Sequence, residues 1–347
     1  MKFGRLAGPG RLEVVERPEP TAGAGELVVA MAACGVCGTD LEKLRGNYRS
    51  AGILGHEPVG RIAAVGSDVD GLRDGDRVFV HHHVPCLSCE VCRRGDTTFC
   101  PTYSATNLEP GGFAERFRAS AQHLRQGAVL RLDPAVDWNA GALLEPAGCA
   151  LTALRRVGLP DGASVLVLGL GPVGLLYARL ARTLGASWVG GTEVSELRRR
   201  TAERGGISAT ADPRSPGAVH EMVRRATDGR GADLAVAASG HPSVVRAAVE
   251  EVRRAGTVNL FGLPESGSRL EADLQQVYLR GVRLVPSYAT TEREIRDVHD
   301  LVVRRRLRVD DLVSHARPLE AIAEAFRLAG RPDEAVKVVV TGDAYSS

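Results

Sequence analysis

Within the 24 residues from Cys34 to Glu57, CGVCGTDLEKLRGNYRSAGILGHE, the chain places two thiols, a hydroxyl beside a carboxylate (Thr39, Asp40) and a Gly-His-Glu triplet ending in His56 and Glu57. Cysteine and histidine are the donors that a borderline-soft ion such as Zn²⁺ prefers. Thr39, two residues past Cys37, is placed to pass a proton to or from a group bound at such an ion. The stretch reads as half of a catalytic metal site, with the other half and a cofactor to be sought elsewhere.

A second cluster follows in CLSCEVCRRGDTTFC, where Cys86, Cys89, Cys92 and Cys100 are spaced C-x2-C-x2-C-x7-C. Four thiolates this close can converge tetrahedrally on one ion and leave no open position, so this site is structural. The preceding run His81-His82-His83 sits at a strand end and is read as a loop or supporting element, not as a ligand set. Further on, Glu145 lies among apolar helix positions just before Pro146. A carboxylate there pairs, binds a metal or marks a helix start, the last being the reading of the residue on its own, and Cys149, four residues later on the same face, competes for the metal role.

From Ala163 the pattern changes. SVLVLGLGPVG gives an apolar strand, then Gly169-x-Gly171-x-x-Gly174, then a helix opening near Pro172 and Val173. That context is the one a dinucleotide-binding loop requires: free helix N–H groups meet a pyrophosphate and glycines let the backbone approach it. Glu193, at the end of the next strand Trp188–Thr192, stands where a carboxylate accepts ribose hydroxyls and repels a 2′-phosphate, so NAD is expected over NADP. Arg198 and Arg199 keep NADP as the minority reading.

The elements that must hold these groups follow from periodicity. Residues 1–33 read as short strands with turns, among them Leu12–Val15 and Leu27–Ala32; Val59–Val65 and Arg77–Val80 continue a β-rich first third, a small barrel or curled sheet. Residues 141–159 read as one helix. Beyond it, strands at 165–168, 188–192, 234–238, 257–261 and 282–285, with a helix over 242–254, predict a doubly wound parallel sheet. Helices over 292–305 and 319–328 and a strand at 336–340 are expected to rejoin the first domain. The chain is therefore α/β, divided as 1–148, 149–288 and 289–347.

At 347 residues the chain exceeds one ordinary core. Its net charge of +2, with arginines dispersed among acids, argues against nucleic acid or an anionic membrane as partner. No apolar run has the length of a signal core or a membrane span, and seven cysteines fit metal ligation in a reducing compartment, so a cytoplasmic location is expected.

Together, CGVCGTD, GHE, the four-cysteine lobe, LEP, GLGPVG and HARPLEAIAEAF resemble the zinc-dependent medium-chain alcohol dehydrogenases, nearest the sorbitol (polyol) branch. The resemblance implies a GroES-like catalytic domain with a Rossmann domain, and a homotetramer or homodimer. It implies catalytic zinc on Cys37 and His56, with Glu145 preferred to Cys149 as the third ligand and Glu57 as a further carboxylate beside the metal. Cys34 falls where the family uses no ligand and is read as packing; Asp40 would orient His56. The implied reaction is reversible oxidation of a polyol, sugar alcohol or cyclitol by NAD⁺, with Thr39 taking the alcohol proton. Where the family often has a relay histidine, this chain has Glu42. Amino-alcohol and sugar-phosphate dehydrogenases are the competing enzymatic readings, with Arg45 and Arg49 bearing on the latter. A non-catalytic nucleotide-binding homologue is the remote one.

Overall fold

The computed structural model describes residues 1–47, 52–270 and 272–345. Two compact units emerge, Met1–Gly148 with Thr290–Arg331 and Lys337–Ser347, and Cys149–Ala289 with Pro332–Val336.

The first unit is built on a seven-stranded sheet. Its strands run in the order Val313–Pro318, Lys337–Thr341, Leu27–Gly35, Pro58–Val65, Arg77–Val80 and Val129–Arg131, with Arg116–Ala119 also paired to Leu27–Gly35. Leu27–Gly35 is its hub: Leu27, Val29, Met31, Ala32, Ala33 and Cys34 are all fully buried, as a continuous apolar run requires when both faces are covered. The last strand pairs antiparallel with it, Val339 opposite Gly35 and Val340 opposite Cys34, so the C-terminal segment sets the register of the metal-donor stretch. A hairpin of Lys2–Gly8 and Arg11–Glu16 forms a separate two-stranded sheet.

The second unit carries a six-stranded, all-parallel sheet in the order Ala209–Ala211, Trp188–Thr192, Ser164–Leu168, Ala232–Ala237, Val252–Leu260 and Arg283–Pro286. The chain winds outward from Ser164–Leu168 in one direction and then resumes on its other side. The switch between Ser164–Leu168 and Ala232–Ala237 opens the crevice where such sheets bind ligands. Gly169 there has φ +102°, in the left-handed region, and a Cβ on Gly174 would stand 1.9 Å from the Gly169 carbonyl oxygen. The helix Pro172–Thr183 can approach its strand only because that Cβ is missing.

Several elements depart from the sequence reading. The single helix expected over 141–159 is two, Trp138–Ala142 and Leu144–Val157. Asp137 caps the first by accepting the Ala140 amide at 2.7 Å, and Pro146, which has no N–H to donate, sits in the first turn of the second. The helix expected to reach Arg254 stops at Glu251. Val252 instead pairs with Ala232, and Arg253 holds the Asp233 carboxylate at 2.5 Å, so tertiary pairing outweighs helical periodicity. The helix Gly38–Arg45, inside the donor stretch, was not anticipated. Among the described residues no helix is long and apolar enough to cross a membrane.

Replacing Gly174 by alanine forces the helix off the strand. It is expected to lower the stability of the protein by about 1–3 kcal/mol, as overpacking does, measured by urea denaturation followed by circular dichroism. An unchanged midpoint would mean that the contact relaxes at no cost.

Candidate active site

Cys37 lies two residues beyond the strand Leu27–Gly35, in extended backbone at the mouth of the helix Gly38–Arg45. Asp40, fully buried, reaches back to accept the Cys37 amide at 3.1 Å and the Gly55 amide at 3.3 Å. Its other neighbour is His56, whose Nδ1 stands 3.5 Å from Asp40 Oδ1. Burial alone would raise the Asp40 pKa, but His56 outweighs it and holds the carboxyl below its usual range. Burial likewise opposes the charged form of His56, yet Asp40 and Cys37 keep its pKa well above the ordinary value. Thr39 Oγ lies 3.8 Å from the Cys37 sulfur. Donor atoms of Cys37, His56 and Glu57 all lie within 4.8 Å of one another.

Glu57 is fully buried, and its Oε2 is 2.5 Å from Nζ of Lys337, itself only 2% exposed. The approach is a close charge contact and not a well-angled hydrogen bond, and Oε1 has no hydrogen-bond partner. Burial raises the Glu57 pKa against the opposing pull of Lys337 and His56; Glu145, close enough to be felt, adds to the rise. A Cβ on Gly35 would fall 1.7 Å from Glu57 Oε2, so the glycine makes the space for this carboxylate. Lys337 was missed in the sequence, where its only signal is a lysine opening a valine-rich strand.

Glu145 is buried in the first turn of Leu144–Val157. The structure groups its carboxylate with the rings of His81 and His82, donor atoms within 4.8 Å of one another. His82 in turn has its ring centroid 5.1 Å from that of His56, so the two donor groups adjoin. The histidine run thus has a closer relation to the site than the sequence suggested. Cys34 is fully buried and packs inside the sheet. Glu42 turns outward, its carboxylate taken by Arg45 Nη1 at 2.5 Å and Asn47 Nδ2 at 2.9 Å. Arg49 lies outside the described residues.

The four-cysteine lobe is compact. Four sulfurs held about 2.3 Å from one zinc in a tetrahedron lie roughly 3.8 Å apart. Here Cys86 and Cys100 are 3.6 Å apart, Cys89 and Cys100 3.8 Å, and Cys86 and Cys92 4.0 Å. The Ser88 hydroxyl and the amides of Ser88 and Cys89 draw the Cys86 thiol down to about 5, which favours the ligating thiolate.

In the second unit, Gly169, Gly171 and Gly174 form the turn into the helix that begins with Pro172 and Val173. Glu193 is buried at the end of Trp188–Thr192; it accepts the Leu170 amide inside that turn at 3.1 Å and the Ser195 amide at 3.1 Å. Arg198 directs its guanidinium to the same turn, Nη1 standing 3.7 Å from where a Gly171 Cβ would be, and donates Nε to the Ala335 carbonyl at 3.3 Å. Arg199 is spent on the Glu193 and Val194 carbonyls.

Residues 23–128 match the alcohol dehydrogenase GroES-like domain, and residues 172–304 the zinc-binding dehydrogenase domain. A sorbitol dehydrogenase of Bacillus subtilis (strain 168) is 32% identical over 272 residues, 76% of this chain and 75% of that protein. The chain belongs to the zinc-dependent medium-chain alcohol dehydrogenase family. Within that family an L-threonine 3-dehydrogenase of Symbiobacterium thermophilum is 32% identical over 352 residues, covering 97% of this chain and 96% of its own. A crystal structure of galactitol-1-phosphate dehydrogenase from Escherichia coli superposes with a TM-score of 0.86 at 26% identity, over 98% of this chain and 100% of that one. As a member, the protein is a dehydrogenase that works with zinc and a nicotinamide cofactor. The donor chemistry of this chain fits both: a thiol, an imidazole and a carboxylate converge in one place, a second carboxylate and two imidazoles adjoin it, four thiols meet in another, and a glycine turn opens a helix.

Lys337→Met would leave the Glu57 carboxylate buried without its partner. A loss of about 3–5 kcal/mol is expected, read from urea denaturation of zinc-free and zinc-loaded protein, with most of it recovered in the Lys337→Met/Glu57→Gln double variant. With Glu57→Gln measured alone as well, a double-variant loss equal to the sum of the two single losses would show that the pair is not coupled.

Proposed function

We propose that this dehydrogenase oxidises a secondary alcohol of the polyol, sugar alcohol or cyclitol class to the ketone, reversibly, with NAD⁺ as acceptor. The observation that carries the reading is the convergence of Cys37, His56 and Glu57, donor atoms within 4.8 Å, with the Thr39 hydroxyl 3.8 Å from the Cys37 sulfur. Cys37, His56 and Glu145 would hold the zinc, with Glu57 as the further carboxylate beside it. A zinc bound there supplies Lewis acidity, which lowers the pKa of an alcohol oxygen toward neutrality. Thr39 Oγ takes the alcohol proton. Asp40 fixes the His56 ring, and Lys337 offsets the buried charge of Glu57. Glu42, gripped by Arg45 and Asn47, is the surface carboxylate through which the proton passes to solvent. Zinc on Cys86, Cys89, Cys92 and Cys100 would staple the lobe.

The described cations near the site favour an uncharged substrate. Lys337 is committed to Glu57, Arg45 to Glu42, and Lys43 Nζ donates to the Ile53 carbonyl at 2.9 Å. A threonine carboxylate or a sugar phosphate would need a cation to receive it. NAD is favoured over NADP because the buried Glu193 carboxylate sits at the glycine turn, where it would accept ribose hydroxyls and repel a 2′-phosphate. Two features support a homodimer or homotetramer: the helix Leu274–Arg280 exposes Leu274 at 77% and Tyr278 at 84%, and its neighbour Arg283–Pro286 is an edge strand of the parallel sheet. Seven cysteines outside any disulfide support a cytoplasmic setting.

The test is NADH absorbance with polyols, cyclitols, threonine and sugar phosphates, each with and without a chelator. Turnover of a neutral polyol or cyclitol that the chelator abolishes is expected. Preference for threonine or a sugar phosphate would overturn the substrate class, and no turnover with zinc and NAD bound would revive a non-catalytic role. For the cofactor, Glu193→Ala is expected to weaken NAD binding and relax discrimination against NADP; unchanged selectivity would overturn the ribose assignment.

A further inference from the structure

The three consecutive histidines after the strand Arg77–Val80 are not equivalent. They follow the strand end through a bend at His82, and their rings cluster, His82 lying 5.3 Å from His81 and 4.0 Å from His83 between centroids. His81 and His83 both lie against the Tyr103 ring, at 6.0 and 5.3 Å between centroids, while His82 is the one beside His56 at 5.1 Å. His81 has both ring nitrogens engaged: Nδ1 with Glu292 at 3.0 Å, and Nε2 with the Tyr103 hydroxyl at 3.4 Å. That hydroxyl donates to the Thr290 carbonyl at 2.9 Å, which fixes the arrangement. His83 bonds through Nδ1 to the Thr106 carbonyl. His82 is held by its backbone, whose carbonyl is met by His123 Nε2 at 3.1 Å, yet its own Nδ1 is buried with no hydrogen-bond partner. The residue as a whole is 8% exposed.

A buried ring nitrogen without a partner costs free energy, and native proteins rarely leave one so. Here one ring nitrogen lies within 4.8 Å of donor atoms of His81 and Glu145, and the ring stands 5.1 Å from that of His56. Glu57 has its charge drawn to Lys337. A dication at this place is therefore offered a second imidazole as readily as a second carboxylate.

We propose that His82 is a ligand of the catalytic metal, adding a second nitrogen donor beside His56, in a site made with Cys37 and Glu145. This rests on the reading of Cys37 and His56 as the catalytic metal site and assigns a residue to it that the family pattern does not. Zinc can expand to five-coordination, so an additional protein donor does not close the site to substrate. His81 becomes a positioning residue, whose contacts with Glu292 and Tyr103 anchor the loop that presents His82.

The experiment uses full-length protein and measures metal, not turnover. Wild type is titrated with zinc against a competing chelator, and the more labile site is then loaded with cobalt. Two metals per chain are expected, with hyperfine-shifted proton resonances from two imidazoles at the cobalt. His82→Ala and His82→Asn should hold the labile metal at least about tenfold more weakly, change the visible cobalt bands and leave one shifted imidazole, while the cysteine lobe keeps its zinc. His83→Asn is the control and should match wild type. Resonances from one imidazole in wild type, or an unchanged affinity and cobalt spectrum in a folded His82 variant, would overturn the role of His82 and leave the Cys37–His56 site standing. A wild-type chain that holds only the lobe zinc would overturn that site itself, and the inference with it.

Discussion

The site depends on a buried ion pair. Glu57 and Lys337 are 2.5 Å apart with almost no exposure, so neither charge is tolerable without the other. The pair joins residues 280 positions apart in sequence, and it can form only when the last strand lies antiparallel to Leu27–Gly35 in one register. A slip by one residue would turn Lys337 to the opposite face and leave Glu57 alone among apolar side chains. Gly35 completes the constraint, since any side chain there would occupy the carboxylate's place. The ion pair is thus a register device as much as an electrostatic one, and it explains why the C-terminal segment belongs to the unit that carries the metal donors.

Several buried acidic groups gather around that pair. Asp40, Glu57 and Glu145 are buried carboxylates, and Cys37 contributes a thiol. Among the described residues, Lys337, Lys43 and the His56 imidazole act against them. Burial disfavours each anion separately, which is why the Glu57 pKa rises although a lysine touches it. A dication is the economical remedy, because one ion shared among several donors offsets more buried negative charge than any single side chain could. The same argument distinguishes the donors: Asp40 is already occupied by two backbone amides and His56, so it orients a ligand and does not supply one.

What could be read in the sequence follows from the range of the interactions. The strand, glycine turn and helix from Ser164 to Thr183 are determined locally, and Trp188–Thr192 lies where periodicity puts it. The cysteines at 86, 89, 92 and 100 are too near one another to avoid meeting. By contrast, the stop at Glu251 is set by pairing with Ala232, and the break at Leu143 by a cap at Asp137 beside a proline, so periodicity alone ran through both. Lys337 was unreadable as a site residue because nothing local connects it with Glu57. His82 was passed over because three identical neighbours differ only in which way each ring turns, and that is set by the bend after the strand and by partners distant in sequence.

Apart from Glu145, in the first turn of a helix, the site's polar groups share a position in the architecture. Cys37 follows a strand by two residues, His56 precedes one by two, the histidines follow Arg77–Val80 directly, and Lys337 opens the closing strand. The interiors of the two strands that meet at the site, Leu27–Gly35 and Lys337–Thr341, are valine, alanine, leucine and methionine, buried and intolerant of polarity. Strand ends are where the ladder releases the backbone while still fixing its direction, so a polar side chain there gains a rigid mount without disturbing the sheet. A fold arranged in this way can change a donor, from a carboxylate to an imidazole for instance, at no cost to its core. Differences in metal coordination and substrate among proteins of this architecture should therefore reside in a few positions at the strand ends, while the sheet and the buried pair that sets its register remain the same.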